Sequence, residues 1–125
     1  MSIDNAVLIS GCLIGARELL IDFGADADAV ALHACLPARV FEDPELYVPA
    51  GSIVDYLELA AVASHREDFG LLHACRLPLA VLGPGWMVMR AAETVGEALL
   101  DFVRLYGVYT DAGSLRAERN GDALW

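Results

Sequence analysis

Leu32-His33-Ala34-Cys35 recurs, letter for letter, as Leu72-His73-Ala74-Cys75. Imidazole nitrogen and thiolate sulfur are both zinc ligands, so this repeat is the first place to look for metal chemistry. Residues two apart on a helix point about 200° from one another, so neither His-x-Cys pair can chelate within its own turn. A site would need one residue from each segment to meet. The flanking residues do not repeat, which argues against a solenoid unit, and buried Cys and His often serve as ordinary core residues. Asp68-Phe69-Gly70 matches the metal-binding triplet of kinases, but the chain has neither their glycine-rich loop nor their catalytic loop. Asp22, Asp26 and Asp28 have the look of a calcium loop whose closing position is His33, where an EF-hand needs glutamate. Gly83-x-Gly85 lacks the Lys-Ser or Lys-Thr of a phosphate cradle, and Ser10, Ser52, Ser64 and Ser114 have no nucleophile-elbow context. The expectation is a protein that is not an enzyme, with no catalytic residue, no metal and no cofactor.

Pocket chemistry remains for Trp86, Met87, Met89, Arg90, Tyr106 and Tyr109. Apolar walls with one arginine and two phenols suit an organic acid or amino-acid-like effector, the guanidinium pairing bidentately with a carboxylate. The competing reading is plain core packing, the commoner use of aromatics and methionines at helical spacing.

These residues lie in Leu82–Tyr109, which contains the best-specified helix of the chain. Thr94-Val95-Gly96-Glu97 has the spacing of a capping box, so a helix should begin at Val95. Val95, Ala98, Leu99, Phe102, Val103, Tyr106 and Tyr109 follow the helical period and form an expected core face, opposite Glu97, Asp101 and Arg104. Gly107 is expected as the residue just past the helix end, and Gly96 as a point of close backbone approach. Gly83-Pro84-Gly85 breaks the chain before a shorter helix, Trp86–Ala92.

The elements upstream follow the same logic. Ala6–Gly11 is apolar but too short to decide between strand and helix. A first helix is expected over Leu13–Phe23, stopped by Gly24. After a two-residue joint, Asp26 caps a second, with Ala29, Val30, His33 and Leu36 on related faces and Pro37 as its end. Leu36–Asp43 reads as a helical turn, and Pro44–Pro49 as an extended link. A long helix follows over Ala50–Ser64, with Ile53, Val54, Leu57, Ala60 and Ala61 inward and Ser52-x-x-Asp55 as a possible later start. Phe69–Arg76 is a short helix with Phe69, Leu71, Leu72 and Cys75 as its apolar part. Near the end, Leu115–Arg119 alternates, Asn120-Gly121 signals a type I′ turn, and Asp122–Trp125 begins a returning strand. A lone hairpin is not a stable sheet, so the sequence reads as cut before a β region is complete. The fold class expected is mainly α: one compact multi-helix domain over residues 1–125, with the beginning of a C-terminal β-hairpin.

Eight basic residues against 18 acidic give a net charge of −10, and no basic cluster offsets it, so this chain should not itself bind a nucleic acid. The 57% hydrophobic share and mean hydropathy of +0.49 exceed the needs of a 125-residue body, which points to apolar surface facing a partner subunit or a further domain. No uncharged apolar run is long enough to span a membrane. Ile9-Ser10-Gly11-Cys12 imitates a lipoprotein cleavage box, but what precedes it carries Asp4 and no Lys or Arg. Three cysteines without framework spacing favour reduced thiols in a cytoplasmic protein.

Leu82-Gly83-Pro84 followed by Glu93-Thr94-Val95-Gly96-Glu97-Ala98-Leu99 resembles the LGxLG…PTxGEAL pattern of one branch of the AraC-type transcription regulators, in their N-terminal, arabinose-binding-type regulatory domain. Asp26 matches the aspartate of that family's G-L-D-P-x-x-L helix start, with Ala27 where proline is usual. Asp43-Pro44-Glu45-Leu46-Tyr47-Val48-Pro49 resembles its D-P-x-x-x-V-P link, and Asp68-Phe69-Gly70-Leu71 its D-F-G-L helix. The resemblance covers roughly Ala6–Trp125, carried by the order and spacing of these motifs. Arg66-Glu67 departs from it, standing where aspartate-proline is usual, and no helix-turn-helix segment follows Trp125. The resemblance implies a regulatory domain that senses a small-molecule effector, forms a homodimer, and reaches DNA only through an absent C-terminal domain. Two other readings stand beside it: a free-standing helical interaction module without ligand, and a small enzyme or zinc protein centred on His33, Cys35, His73 and Cys75.

Overall fold

The computed structural model describes residues 6–124. Six α-helices among them carry a mainly α fold with two small antiparallel sheets. The segment that the sequence leaves undecided is strand β1 (Val7–Ile9), running into a 3-10 turn over Ser10–Leu13. The first helix, α1 (Ala16–Asp22), therefore starts later than expected: Gly15, at φ +78°, takes a left-handed conformation that a continuous helix from Leu13 would forbid. Four residues, Phe23 to Asp26, join it to α2 (Ala27–His33), rather than two. Asp26 caps α2 as expected, its carboxylate accepting from the Ala29 amide at 3.0 Å. Pro37 does not end that helix. Cys35 does, at φ +56°, while the Leu36 amide closes back on the Ala31 carbonyl at 2.9 Å.

A 3-10 turn over Ala38–Phe41 leads to β2 (Tyr47–Pro49), which pairs with β1 and runs directly into α3 (Ala50–Ser64). The bounds of α3 are those expected, and Ser52 plays no part in its start. Its inward stripe is rotated from the expectation, however. Ile53 and Ala60 are buried and Leu57 and Ala61 half-buried, but Val54 is exposed and Tyr56 is fully enclosed. Next comes α4 (Phe69–Arg76), which buries Phe69 and His73 and leaves Leu71 and Cys75 in solvent. Where the family pattern has aspartate-proline, Arg66 binds Asp68 through two contacts of 2.9 and 2.8 Å and lies 5.5 Å from the Phe23 ring centroid. Its hydrogen bond holds the Asp68 carboxyl below the usual carboxylate range.

The connected hydrophobic core cluster, with the side chains packed against it, comes from the span between Leu8 and Leu72. Phe69, Tyr56, Leu13, Leu19 and Leu20 are its largest sealed members. Beyond it lie a 3-10 turn over Leu79–Leu82, α5 (Pro84–Ala91) and α6 (Val95–Tyr109). Pro84 opens α5 at the first helical position, two residues earlier than expected. The Thr94 capping box forms in full, Glu97 N–H donating to Thr94 Oγ1 at 3.2 Å and Thr94 N–H to Glu97 Oε2 at 3.3 Å. The rest of the α6 reading is corrected. The helix runs through Gly107 to Tyr109. Nothing packs close on Gly96. The expected core face holds no fully buried residue, with Val95 78% exposed and Phe102, Val103, Tyr106 and Tyr109 only half-buried. Helix α6 packs chiefly on α5.

Strands β3 (Arg119–Asn120) and β4 (Ala123–Leu124) form the expected hairpin. The two turn residues are Gly121 and Asp122, one position on from the Asn120-Gly121 expected, and only Gly121, the first of them, has a positive φ, the signature of a II′ turn in place of the I′ expected. Trp125, placed by the sequence reading in the returning strand, lies outside the described residues. This division of burial sets the scale of two substitutions. Phe69→Ala should cost about 3–5 kcal/mol of stability in urea unfolding, whereas Thr94→Ala, which removes one cap, should cost about 1 kcal/mol.

Candidate functional site

A cavity of about 250 Å³ lies where the α5–α6 hairpin meets the N-terminal segment. Leu8, Ile9 and Cys12 line one wall, from β1 and the turn after it. Val81 and Leu82 line a second, and Phe102, Tyr106, Tyr109 and Thr110 close it from α6 and its C-terminal end. Each wall is where it is for a local reason. Gly11 lacks the side chain that would otherwise meet Val81 Cγ2 at 2.9 Å and the Pro44 carbonyl at 3.1 Å, so the Leu79–Leu82 turn can close on the N-terminal segment. Gly85 plays the same part for α5, where a Cβ would run into the Tyr109 ring and hydroxyl. Thr110 Oγ1 donates to the Val7 carbonyl at 3.3 Å and so ties the end of α6 to β1. Phe102 and Tyr106 stack edge to face, 5.8 Å apart, along the inner side of α6.

The lining is almost wholly apolar, its polar groups being the two phenols, the Thr110 hydroxyl and the Cys12 thiol. Burial pushes the Cys12 thiol up from its ordinary value, which keeps it protonated and slow as a nucleophile. Of the residues singled out for a pocket, Tyr106 and Tyr109 are in this lining. Trp86 and Met89 sit half-buried on α5 outside it, Met87 is exposed, and Arg90 is exposed with no ion-pair partner among the described residues. The structure thus brings together the two phenols, without the arginine. Leu8, Ile9 and Cys12 were missed because their segment carried no periodic signal. Leu82 was visible only as part of the family pattern, and Gly85 only as part of a chain break.

The His-x-Cys repeats do not converge. His33 is exposed, its Nδ1 2.7 Å from its own helix's Ala29 carbonyl, while His73 is buried and donates from Nε2 to the Cys12 carbonyl at 2.7 Å. Cys35 and Cys75 are exposed, and no group of three or more His, Cys, Asp or Glu gathers at one place among the described residues. A role is nonetheless visible for one repeat, since His73 docks α4 onto the turn that lines the cavity.

The family model of the arabinose-binding domain of AraC transcription regulators, N-terminal, matches residues 24–125. The chain belongs to this family. No curated protein matches it. The matched span of this AraC-type regulatory domain includes the Leu79–Leu82 turn, α5 and α6, while the wall formed by Leu8, Ile9 and Cys12 precedes it. No helix among the described residues is long and apolar enough to cross a membrane.

Two glycines of the hairpin region, Gly85 close-packed and Gly96 open, give a direct check on this geometry. Gly85→Ala forces a methyl group against Tyr109 and should cost about 1–3 kcal/mol as overpacking. Gly96→Ala meets only Thr94 Oγ1 at 3.9 Å and should stabilise by up to about 1 kcal/mol through helix propensity. Urea unfolding of the two variants should therefore move in opposite directions.

Proposed function

We propose that this AraC-type domain senses a small, largely apolar effector in the cavity between the N-terminal segment and α6, and passes the signal on through dimerisation. A separate C-terminal domain would contact DNA, in the cytoplasm. The observation that carries this reading is that the cavity lies across the joint between the helical core and the hairpin. A molecule seated there touches both sides at once. It can alter their arrangement to the extent that it binds one arrangement more tightly than another.

The chemistry of the lining favours an effector with an apolar body and one or two hydroxyl or carbonyl groups, which the Tyr106, Tyr109 and Thr110 hydroxyls would meet. The lining holds no charged side chain, so a carboxylate would lack a partner inside it. Output through dimerisation is supported by the apolar surface that α6 leaves in solvent, with Val95, Leu99, Leu100 and Val108 all exposed. Exposed apolar side chains at this density along one helix are surface that a second protomer could cover. Contact with DNA falls to another domain because the net charge of −10 repels a polyanion.

Cys12 supplies an internal reporter. A metabolite that stabilises the domain in a thermal-shift screen should also slow iodoacetamide alkylation of Cys12 and leave Cys35 and Cys75, both exposed, unchanged. At about a hundred times its Kd such a compound should add about 2.7 kcal/mol of stability. Leu82→Trp, which fills the cavity, should abolish both effects. Stabilisation without protection of Cys12 would place the effector elsewhere.

A further inference from the structure

The two sides of the α6 cavity differ in kind. One is made of branched aliphatic side chains, Leu8, Ile9, Val81 and Leu82, while Phe102, Tyr106 and Tyr109 present aromatic rings at i, i+4 and i+7 along one face of α6 on the other. Phe102 and Tyr106 meet at an interplanar angle of 74°. Rings set at such an angle offer both a face and an edge, so a further ring can join them in the offset or edge-to-face geometry that aromatic groups favour. The Tyr109 ring is fixed by close packing, since its hydroxyl end fills the space that a side chain on Gly85 would take.

Size and charge set two further limits. An apolar cavity of about 150 Å³ takes up benzene. On the same scale a cavity of about 250 Å³ holds about ten non-hydrogen atoms. Because the lining has no charged side chain, a carboxylate or ammonium buried there would lose its water without gaining a partner. Thr110 Oγ1 donates to the Val7 carbonyl and accepts from the Ala112 amide at 3.0 Å, so its one proton is used and it can only accept from a ligand. A ligand hydroxyl, which brings its own proton, matches that acceptor better than an ether or ketone oxygen does.

Taking the α6 cavity as the effector site, we propose that its occupant is a neutral aromatic alcohol of about ten non-hydrogen atoms, its ring seated between the Phe102 and Tyr106 rings and the Leu8 and Leu82 side chains. Each feature of the walls rejects a class of molecule. The uncharged lining rejects acids and amines, and the volume rejects fused polycyclic compounds. The aromatic side disfavours alkyl chains of equal size, which bury similar area but make no ring contacts and lose more rotational freedom on binding.

The test uses the full 125-residue chain and three probes of equal carbon count, 3-phenylpropan-1-ol, 1-nonanol and 3-phenylpropionate, each followed by Tm and by protection of Cys12 from iodoacetamide. The aromatic alcohol should raise the Tm and slow alkylation of Cys12. The aliphatic alcohol should bind about two- to tenfold more weakly, the difference expected of ring-on-ring contact, and the carboxylate should do neither. Phe102→Leu should weaken binding of 3-phenylpropan-1-ol severalfold and leave 1-nonanol unchanged, whereas a purely structural part for that ring would change both alike. Equal or tighter binding of 1-nonanol, protection of Cys12 by the carboxylate, or equal loss of both alcohols in Phe102→Leu would overturn the aromatic alcohol and leave the cavity as the effector site. No protection of Cys12 by any of the three would remove the cavity itself as that site, and the aromatic alcohol with it.

Discussion

The pairing of residues 6–11 with residues 43–50 is the contact on which the other features of this domain depend. Strands β1 and β2 are three residues each, in the register Val7↔Pro49, Leu8↔Val48, Ile9↔Tyr47. Alone, such a ribbon would not persist in water. Here it is extended at both ends: Ala50 N–H donates to the Ala6 carbonyl at 2.9 Å, Ser10 N–H to Leu46 at 2.7 Å, and Gly11 N–H to Pro44 at 2.8 Å. Ser10 Oγ adds a bond to the Asp43 carbonyl at 2.6 Å. Ser10, Gly11 and Ala50 are buried, so each of these bonds is made out of reach of water, where an unmade one would be costly. The pairing fixes where α3 starts. It also presents the Cys12 carbonyl to His73 and the Val7 carbonyl to Thr110, which brings α4 and the end of α6 to the same short segment.

Burial then falls into two tiers. Side chains between Leu8 and Leu72 share one sealed core, whereas α5 and α6 pack chiefly on each other and reach that core through the N-terminal segment and the Leu79–Leu82 turn. Elements with few sealed side chains open at lower free energy than the core they rest on. The attached hairpin, with a cavity at its joint, is therefore the part of the domain expected to open at the lower free energy. On the function proposed above, a ligand at the joint would act on the weaker tier without having to disturb the stronger one.

What was legible in the sequence was whatever is set by contacts close along the chain. The Thr94 box, the Asp26 cap, the glycine stop at Gly24 and the bounds of α3 all depend on residues a few positions apart, and all are present. What was not legible depends on contacts far along the chain. Helical period alone made α6 amphipathic, yet no second layer covers Val95 or Leu99. The inward stripe of α3 turned toward Tyr56 because Phe41, brought in by the preceding turn, packs there. Gly96 drew attention as a helix-interior glycine, but the close approach is at Gly85 and Gly11, each defined by a residue distant in sequence. For the same reason Tyr106 and Tyr109 were found for the cavity and Leu8, Ile9 and Cys12 were not. A pocket wall built from an unpatterned segment leaves no local trace.

The most direct test of this account is native-state hydrogen exchange read amide by amide. The two-tier arrangement predicts that α6 amides open at a free energy well below those of α3, and that the Ser10 and Gly11 amides, bonded to Leu46 and Pro44, rank with α3 among the slowest. Exchange of α6 and α3 at one common free energy would contradict it. The hairpin would then be an integral part of a single core, and the cavity at its joint would not lie between parts that can move.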